Sequence, residues 1–371
     1  PRLSVTIRGR RSDHPATAGE TFLVNASGAP IASIFSFSYV KTNPADLSRP
    51  VLFVFNGGPG SSSVWLHMGV VGPRRVALDR EVNPRNVPPF GVVDNPYSVL
   101  DVADIVFIDP VGTGFSRAVG EGRPEEFWGV DEDANAVAQF IELWITENRR
   151  WNAPKFLMGE SYGSQRAAVL PRALMGGPFY AGVMRGITVN GIVLLGTTMG
   201  QVVAPDSATE ARLMRAALEL PGYAATAWPH NRINRRGRTP AMLQEETTAF
   251  AKTVYYDALM KAAAGQLGAD ERRDVVEQLV AYTGLSASAF EQDLSIARVK
   301  FGETLLADQG LAVGQYDSRY TLPLANSGGD PVADDPAMGR YVPGFIAAFH
   351  QMLRDDLKVT LNRPYAAIMW K

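Results

Sequence analysis

The sequence has no cysteine. Disulfides, thiolate metal sites and a cysteine nucleophile are therefore excluded. Histidine is scarce, with only His14, His67, His230 and His350. None stands in H-E-x-x-H or any other metal-ligand spacing, so metallopeptidase chemistry and a bound metal are disfavoured. No G-x-x-x-x-G-K-[ST] occurs, which argues against phosphate chemistry, and no cofactor is implied. No run of 18 apolar residues exists, so no membrane span is expected. Basic charge is not in excess. The 36 Lys and Arg stand against 38 Asp and Glu, a net charge of −2, which argues against a nucleic-acid partner. The densest basic run, residues 232–238, reads as a solvated loop.

What remains is a chain of 371 residues, 46% hydrophobic and 20% charged. That is enough to bury a large core, as one α/β domain with an insertion. There are no internal repeats, and nothing in the pattern sets an oligomeric state. Lack of cysteine suits periplasm and cytosol alike. The chain begins with Pro1 rather than Met. If a signal peptide has been removed, a periplasmic or secreted location is favoured.

The organising stretch is Gly159-Glu160-Ser161-Tyr162-Gly163, the one G-x-S-x-G in the chain. A buried strand is expected before it, over 156–158, and a helix after it, from about 162 to 174. Read alone, the motif is a nucleophile elbow or an ordinary tight turn. The strand–turn–helix context favours the nucleophile, held strained with its hydroxyl exposed. The following helix would aim backbone N–H groups at an oxyanion.

Two β-rich runs, 21–24 and 31–40, flank a turn cluster and predict a hairpin. The unbroken apolar run at 51–55 predicts a central strand covered on both faces; 103–108 predicts the next buried strand and 189–195 another central strand. The first empties into Asn56-Gly57-Gly58-Pro59-Gly60-Ser61-Ser62-Ser63. This loop is either a second source of oxyanion N–H groups or a plain Gly-Pro turn. The second empties into Asp109-Pro-Val-Gly-Thr-Gly-Phe-Ser116, another tight loop at a strand's C-terminal end, where ligands bind in open α/β sheets. Between them, 72–101 reads as a surface excursion. An amphipathic helix is expected over 131–150, with Arg149 and Arg150 suiting its C-terminus. Alternating strands and helices imply a parallel sheet. After about residue 204 the texture turns helical. Ser207 to Glu210 forms a capping box, Thr239-Pro240 starts a long helix to about 264, and helices follow at 270–283 and 288–306. No strand-like run interrupts this block, and a last helix covers 341–357. The division expected is an α/β core with an N-terminal hairpin over 1–204, a helical cap over 205–338, and a return to the core over 339–371.

Together, the loops 56–63, 109–116 and 159–163 resemble, in order and spacing, the serine carboxypeptidases (S10-type peptidases). The resemblance covers about residues 20–205 and returns at Gly339-Arg-Tyr-Val-Pro-Gly344. It implies an α/β-hydrolase fold, with a mostly parallel central sheet flanked by helices and a helical cap insertion. It further implies that C-terminal residues are removed from peptides with a free C-terminus, through an acyl-enzyme on Ser161. By the same resemblance the N–H groups of Gly58 and Tyr162 form the oxyanion hole. Asn56, Gly57 and Glu160 would hold the substrate's terminal carboxylate. Eukaryotic members carry a cysteine where Ser61 stands here, which suits a cysteine-free, bacterial-like branch. Val70 stands where better-known members have a second glutamate. The scaffold also admits an acyltransferase or esterase, or an inactive hydrolase-like binding protein.

The triad order on this fold is Ser, then Asp or Glu, then His. After Ser161 only His230, on a cap loop, and His350, in step with Ile346 and Leu353 as a core-boundary residue, remain. Neither suits the base. The acid and base are expected in a segment beyond Lys371, the chain being a shortened or cleaved form or one chain of a two-chain enzyme.

Overall fold

Apolar runs bounded by turn residues form the strands of a mixed sheet. In a computed structural model of the protein the described residues are 1–42, 46–176, 184–197, 208–326, 332 and 334–369. Two units divide the chain: Pro1–Gln201 with Pro343–Lys371, and Val202–Val342.

The first unit holds β1 (Arg2–Ile7), β2 (Arg10–Val24), β3 (Pro30–Tyr39), β4 (Val51–Phe55), α1 (Val64–Gly69), β5 (Arg74–Val76) and β6 (Val92–Asp94). There follow β7 (Asp104–Ile108), β8 (Arg117–Ala118), α2 (Val130–Glu147), β9 (Lys155–Glu160), α3 (Tyr162–Met175) and β10 (Gly191–Leu195). The main sheet runs β1-β2-β3-β7-β4-β9-β10, with β8 against β3. Its N-terminal side is antiparallel. Strands β7, β4, β9 and β10 are mutually parallel. The β2–β3 turn is an Asx turn, with Asn25 Oδ1 accepting from the N–H groups of Ser27 and Ala29 at 3.0 and 2.9 Å.

Strands β4 and β7 are buried along their whole length. Val137, Phe140, Ile141, Trp144 and Ile145 of α2 share one core with Ala167, Leu170 and Leu174 of α3 and with Phe53 and Phe55 of β4. Each large side chain so buried contributes about 1.5–3 kcal/mol. The parallel half of the sheet is an α/β-hydrolase fold, and its strand ends carry the three motif loops.

Strand β10 departs from expectation. Its sequence reads as a central strand, yet among the described residues it is the last strand of the sheet. Ile192, Val193, Leu194 and Leu195 are 41, 45, 42 and 38% exposed. Arg150 also departs. It does not serve the α2 dipole, for α2 ends at Glu147. Its guanidinium is buried and donates to Asp104 Oδ2 at 2.7 Å. A buried carboxylate requires a partner, and this need outweighs a helix-end preference.

The second unit holds α4 (Ala208–Ala227), α5 (Pro240–Phe250), α6 (Tyr256–Ala263), α7 (Ala269–Thr283), α8 (Arg298–Thr304), β11 (Leu311–Val313) and β12 (Thr321–Pro323). The long helix α9 (Pro336–Asp355) belongs to the first unit from Pro343 onward. Thr239 caps α5 by accepting from Met242 N at 3.2 Å, with Pro240 next to it. A π-helical turn, Ala251–Tyr255, joins α5 to α6. The helix expected over 288–306 is broken. A 3₁₀ turn, Ala287–Phe290, precedes α8. Between them Asp293 Oδ1 takes Ser295 N at 2.8 Å, a local bond that competes with the helix ladder. The strands β11 and β12 pair antiparallel where none was expected. Three residues each are too few to show a strand period. Ser207 lies outside the described residues.

Candidate active site

The site is built where β4 and β9 end side by side. Ser161 is the N-cap of α3 and has φ 56° and ψ −125°. This left-handed conformation costs a non-glycine residue about 1–3 kcal/mol and is held only by its surroundings. Ser161 N donates to Leu195 O at 2.9 Å. Ser164 Oγ donates to Ser161 O at 2.6 Å. The flanking glycines are steric requirements. A Cβ on Gly159 would collide with the carbonyl of Gly163, and one on Gly163 would lie 2.9 Å from Phe55 O.

The glycine loop after β4 lies directly against this turn. A Cβ on Gly57 would sit 2.5 Å from Tyr162 N and 2.6 Å from Glu160 O. Gly58 has φ +106°, which only glycine adopts without strain. Among the described residues the N–H groups of Gly58 and Tyr162 donate to no acceptor. Asn56 is buried, and its amide is oriented from both sides. Its Oδ1 accepts from Leu66 N at 3.1 Å, and its Nδ2 donates to Glu160 Oε2 at 2.9 Å. Asn56, Gly57, Gly58, Glu160, Ser161 and Tyr162 thus come together at one sheet edge.

Arg166 ties these parts down. It lies one turn into α3 and is buried. It donates to Asp133 Oδ2 of α2 and to Asn56 O, both at 2.7 Å. Its guanidinium stacks over the rings of Phe55 and Tyr162 at 5.3 and 5.2 Å. Burial first, and then the charge of Asp133, push the Tyr162 phenol up to about 12.

A family model described as serine carboxypeptidase matches residues 23–189, the stretch carrying all three loops. Over residues 23–189 the chain is similar to the serine carboxypeptidase family. Among the curated relatives, a pheromone-processing carboxypeptidase KEX1 of Leptosphaeria maculans is 32% identical over 145 residues, 38% of this chain and 20% of that protein. Serine carboxypeptidase-like 9 of Arabidopsis thaliana is 26% identical over 147 residues, 39% of this chain and 32% of that protein. Among solved structures, the prohormone-processing carboxypeptidase Kex1(Δ)p of Saccharomyces cerevisiae aligns with 72% of this chain and 53% of its own at 19% identity, with a TM-score of 0.39. The chain therefore spans a minor part of these curated relatives' lengths.

At this site no described histidine bonds Ser161, and among the described residues its hydroxyl has no partner. His67 is wholly buried, and its Nε2 pairs with Tyr39 OH at 2.7 Å. The ring stacks on Phe107 at 4.0 Å. Burial pushes its pKa down to about 3. His14 is buried against Ser12, and burial lowers its pKa as well. His230 Nε2 lies 2.6 Å from Ser318 O in the helical unit. His350 is exposed on α9, while its neighbours Phe349 and Leu353 are buried. It is not the core-boundary residue that its spacing from Leu353 suggests.

Sequence reasoning missed Arg166 with Asp133, and a buried cluster around Asp109. Asp109 Oδ1 accepts from Ser63 N at 2.9 Å, Ser63 Oγ at 2.7 Å and Tyr365 OH at 3.1 Å. Among the described residues no cation joins this cluster, and burial pushes the carboxyl up to about 6. The only available signal was an acidic residue directly after the apolar run 105–108.

Proposed function

We propose that this chain carries the acylating half of a serine carboxypeptidase. Ser161 attacks the carbonyl of the peptide bond before the last residue. The N–H groups of Gly58 and Tyr162 receive the oxyanion. Asn56, Gly57 and Glu160 hold the substrate's terminal carboxylate. Collapse of the tetrahedral intermediate expels the last amino acid and leaves an ester on Ser161, which water then cleaves. The observation that carries this reading is the seating of Gly57 against Tyr162 N beneath a strained Ser161. It supports the joint use of the Gly58 and Tyr162 N–H groups as an oxyanion hole. The Asn56–Glu160 bond supports joint recognition of one substrate group.

The base for Ser161 comes from outside the described residues. Residues 205–338 serve in this reading as a helical cap insertion, and 339–371 as the return to the core. A cap would exclude water from the acyl-enzyme.

The test is labelling of the complete natural protein with a fluorophosphonate. Label is expected on Ser161 and absent from Ser161→Ala. Label persisting in the variant would move the nucleophile elsewhere. No label in the complete protein would favour the inactive binding reading.

A further inference from the structure

We infer that residues 363–369 form a strap that positions the glycine loop 57–63, and that Tyr365 is a positioning residue acting through Asp109. This rests on the reading of Gly58 N–H as an oxyanion donor.

A loop with glycines at 57, 58 and 60 loses much backbone entropy on ordering, so it must be pinned from outside. Its own backbone contributes one bond, Ser61 N to Gly57 O at 3.1 Å. Arg166 and Leu66 N hold the Asn56 end. The other end is held by the strap. Met369 N donates to Gly60 O at 2.8 Å, and Ser62 N to Ala367 O at 3.0 Å. Ser62 Oγ also reaches Ala367 O, at 3.1 Å. Ser61 and Ile368 form an antiparallel bridge. The strap grips the second glycine loop too. Gly114 N donates to Ala366 O at 2.7 Å, and Ala366 N to Gly114 O at 3.0 Å.

The strap is itself fixed at two points. Arg363 donates to Glu20 Oε1 at 2.7 Å and to Phe115 O at 2.9 Å. Tyr365 is buried with its ring against Phe115 and Phe349, at 5.0 and 4.8 Å. Its hydroxyl meets the same Asp109 oxygen that takes both bonds from Ser63. One carboxylate oxygen thereby joins the loop's last residue to the strap. Without the hydroxyl the strap loses its link to Ser63, and the loop's N–H groups lose their fixed aim. An oxyanion contact exists only in the transition state, so the loss should appear in kcat rather than KM.

The test uses the complete protein with Tyr365→Phe, which keeps the ring and its packing. Hydrogen exchange at the Ser62 and Gly114 amides should speed up by about tenfold, a loss of one modest hydrogen bond. The kcat on a C-terminal peptide substrate should fall about tenfold, with KM within about twofold. Arg363→Gln should move both readouts in the same direction by less. Exchange unchanged in Tyr365→Phe would overturn the strap. Faster exchange with kcat unchanged, or a change confined to KM, would overturn the positioning role. Ser161→Ala separates the two readings. Turnover that survives it sinks the nucleophile assignment, while the exchange measurement still decides the strap.

Discussion

The two units bury different kinds of residue. Among the described residues, the interior of the sheet unit holds Asp104, Asp109, Asp133, Arg150, Lys155 and Arg166 beside its apolar strands. The helical unit packs Leu213, Leu220, Tyr255, Leu259, Leu279 and Phe301. Its buried polar residues are Thr247 and Thr283, which donate to carbonyls of their own helices, and Asp335, which accepts from backbone N–H groups. Buried charge is expensive unless paired and hydrogen-bonded. Among its described residues the helical unit buries one carboxylate, Asp335, held by backbone N–H groups, and is otherwise packed mainly from apolar side chains. The sheet unit tolerates the cost where loops must be held at fixed positions, and those are the loops of the candidate site.

The sharpest way to break this contrast is Arg166→Ala. It strands Asp133 and releases Asn56 O, and removing one partner of a buried pair costs about 3–5 kcal/mol. Hydrogen exchange under mild urea should show peptides from 155–176 opening more easily by that amount, with peptides from 208–263 unmoved. Equal loosening of both would mean that the units do not differ as described.

Asp109 gives the next effect, through pH. Its folded pKa is raised, from 3.8 to about 6. The folded state therefore holds this proton more tightly than the unfolded state. The stabilisation is full below pH 4 and is lost as pH rises through 6, a change of about 3 kcal/mol. His67 and His14 act in the opposite sense, because their lowered pKa values cost stability as pH falls. The difference in unfolding free energy between parent and Asp109→Asn isolates the carboxyl. It should shift in favour of the variant between pH 4 and 6, and a flat difference would contradict the burial of an unpaired acid.

Glu160→Ala is smaller. KM for peptides with a free C-terminus should rise by about tenfold, the scale of one charge-assisted hydrogen bond. C-terminally amidated peptides should be unaffected. Equal changes for both would remove Glu160 from carboxylate recognition. Smallest is Thr247→Val in the helical unit, within about 1 kcal/mol by urea unfolding, because the hydroxyl only doubles a carbonyl already bonded in its helix. A larger cost would show that polar burial matters there too.

Much of this was legible in the sequence where local chemistry decides the backbone. Gly159 and Gly163 around Ser161, and Gly57 and Gly58 after an apolar run, mark sites that no other residue could occupy. Strands β4, β7 and β9 follow from short apolar runs, and helices α2, α3 and α7 from helical texture. What could not be read depends on distant partners. Arg166 looks like any polar residue of an amphipathic helix until Asp133 and Asn56 O surround it. Arg150 looks like a helix-end charge until Asp104 claims it. The apolar run of β10 does not say whether anything lies beyond it. The pairs of β11 and β12 are too short for any period to show.

The strap has a consequence for when the site can exist. Its anchor joins Glu20 to Arg363, 343 positions apart in the chain. A contact of that separation forms late, since closing so long a loop must precede any gain from it. During synthesis the strands β2, β3, β4, β7 and β9 leave the ribosome well before residues 363–369. Ser161 and both glycine loops are then present but unpinned. The nascent chain thus carries its nucleophile without an ordered oxyanion site until residues 363–369 emerge.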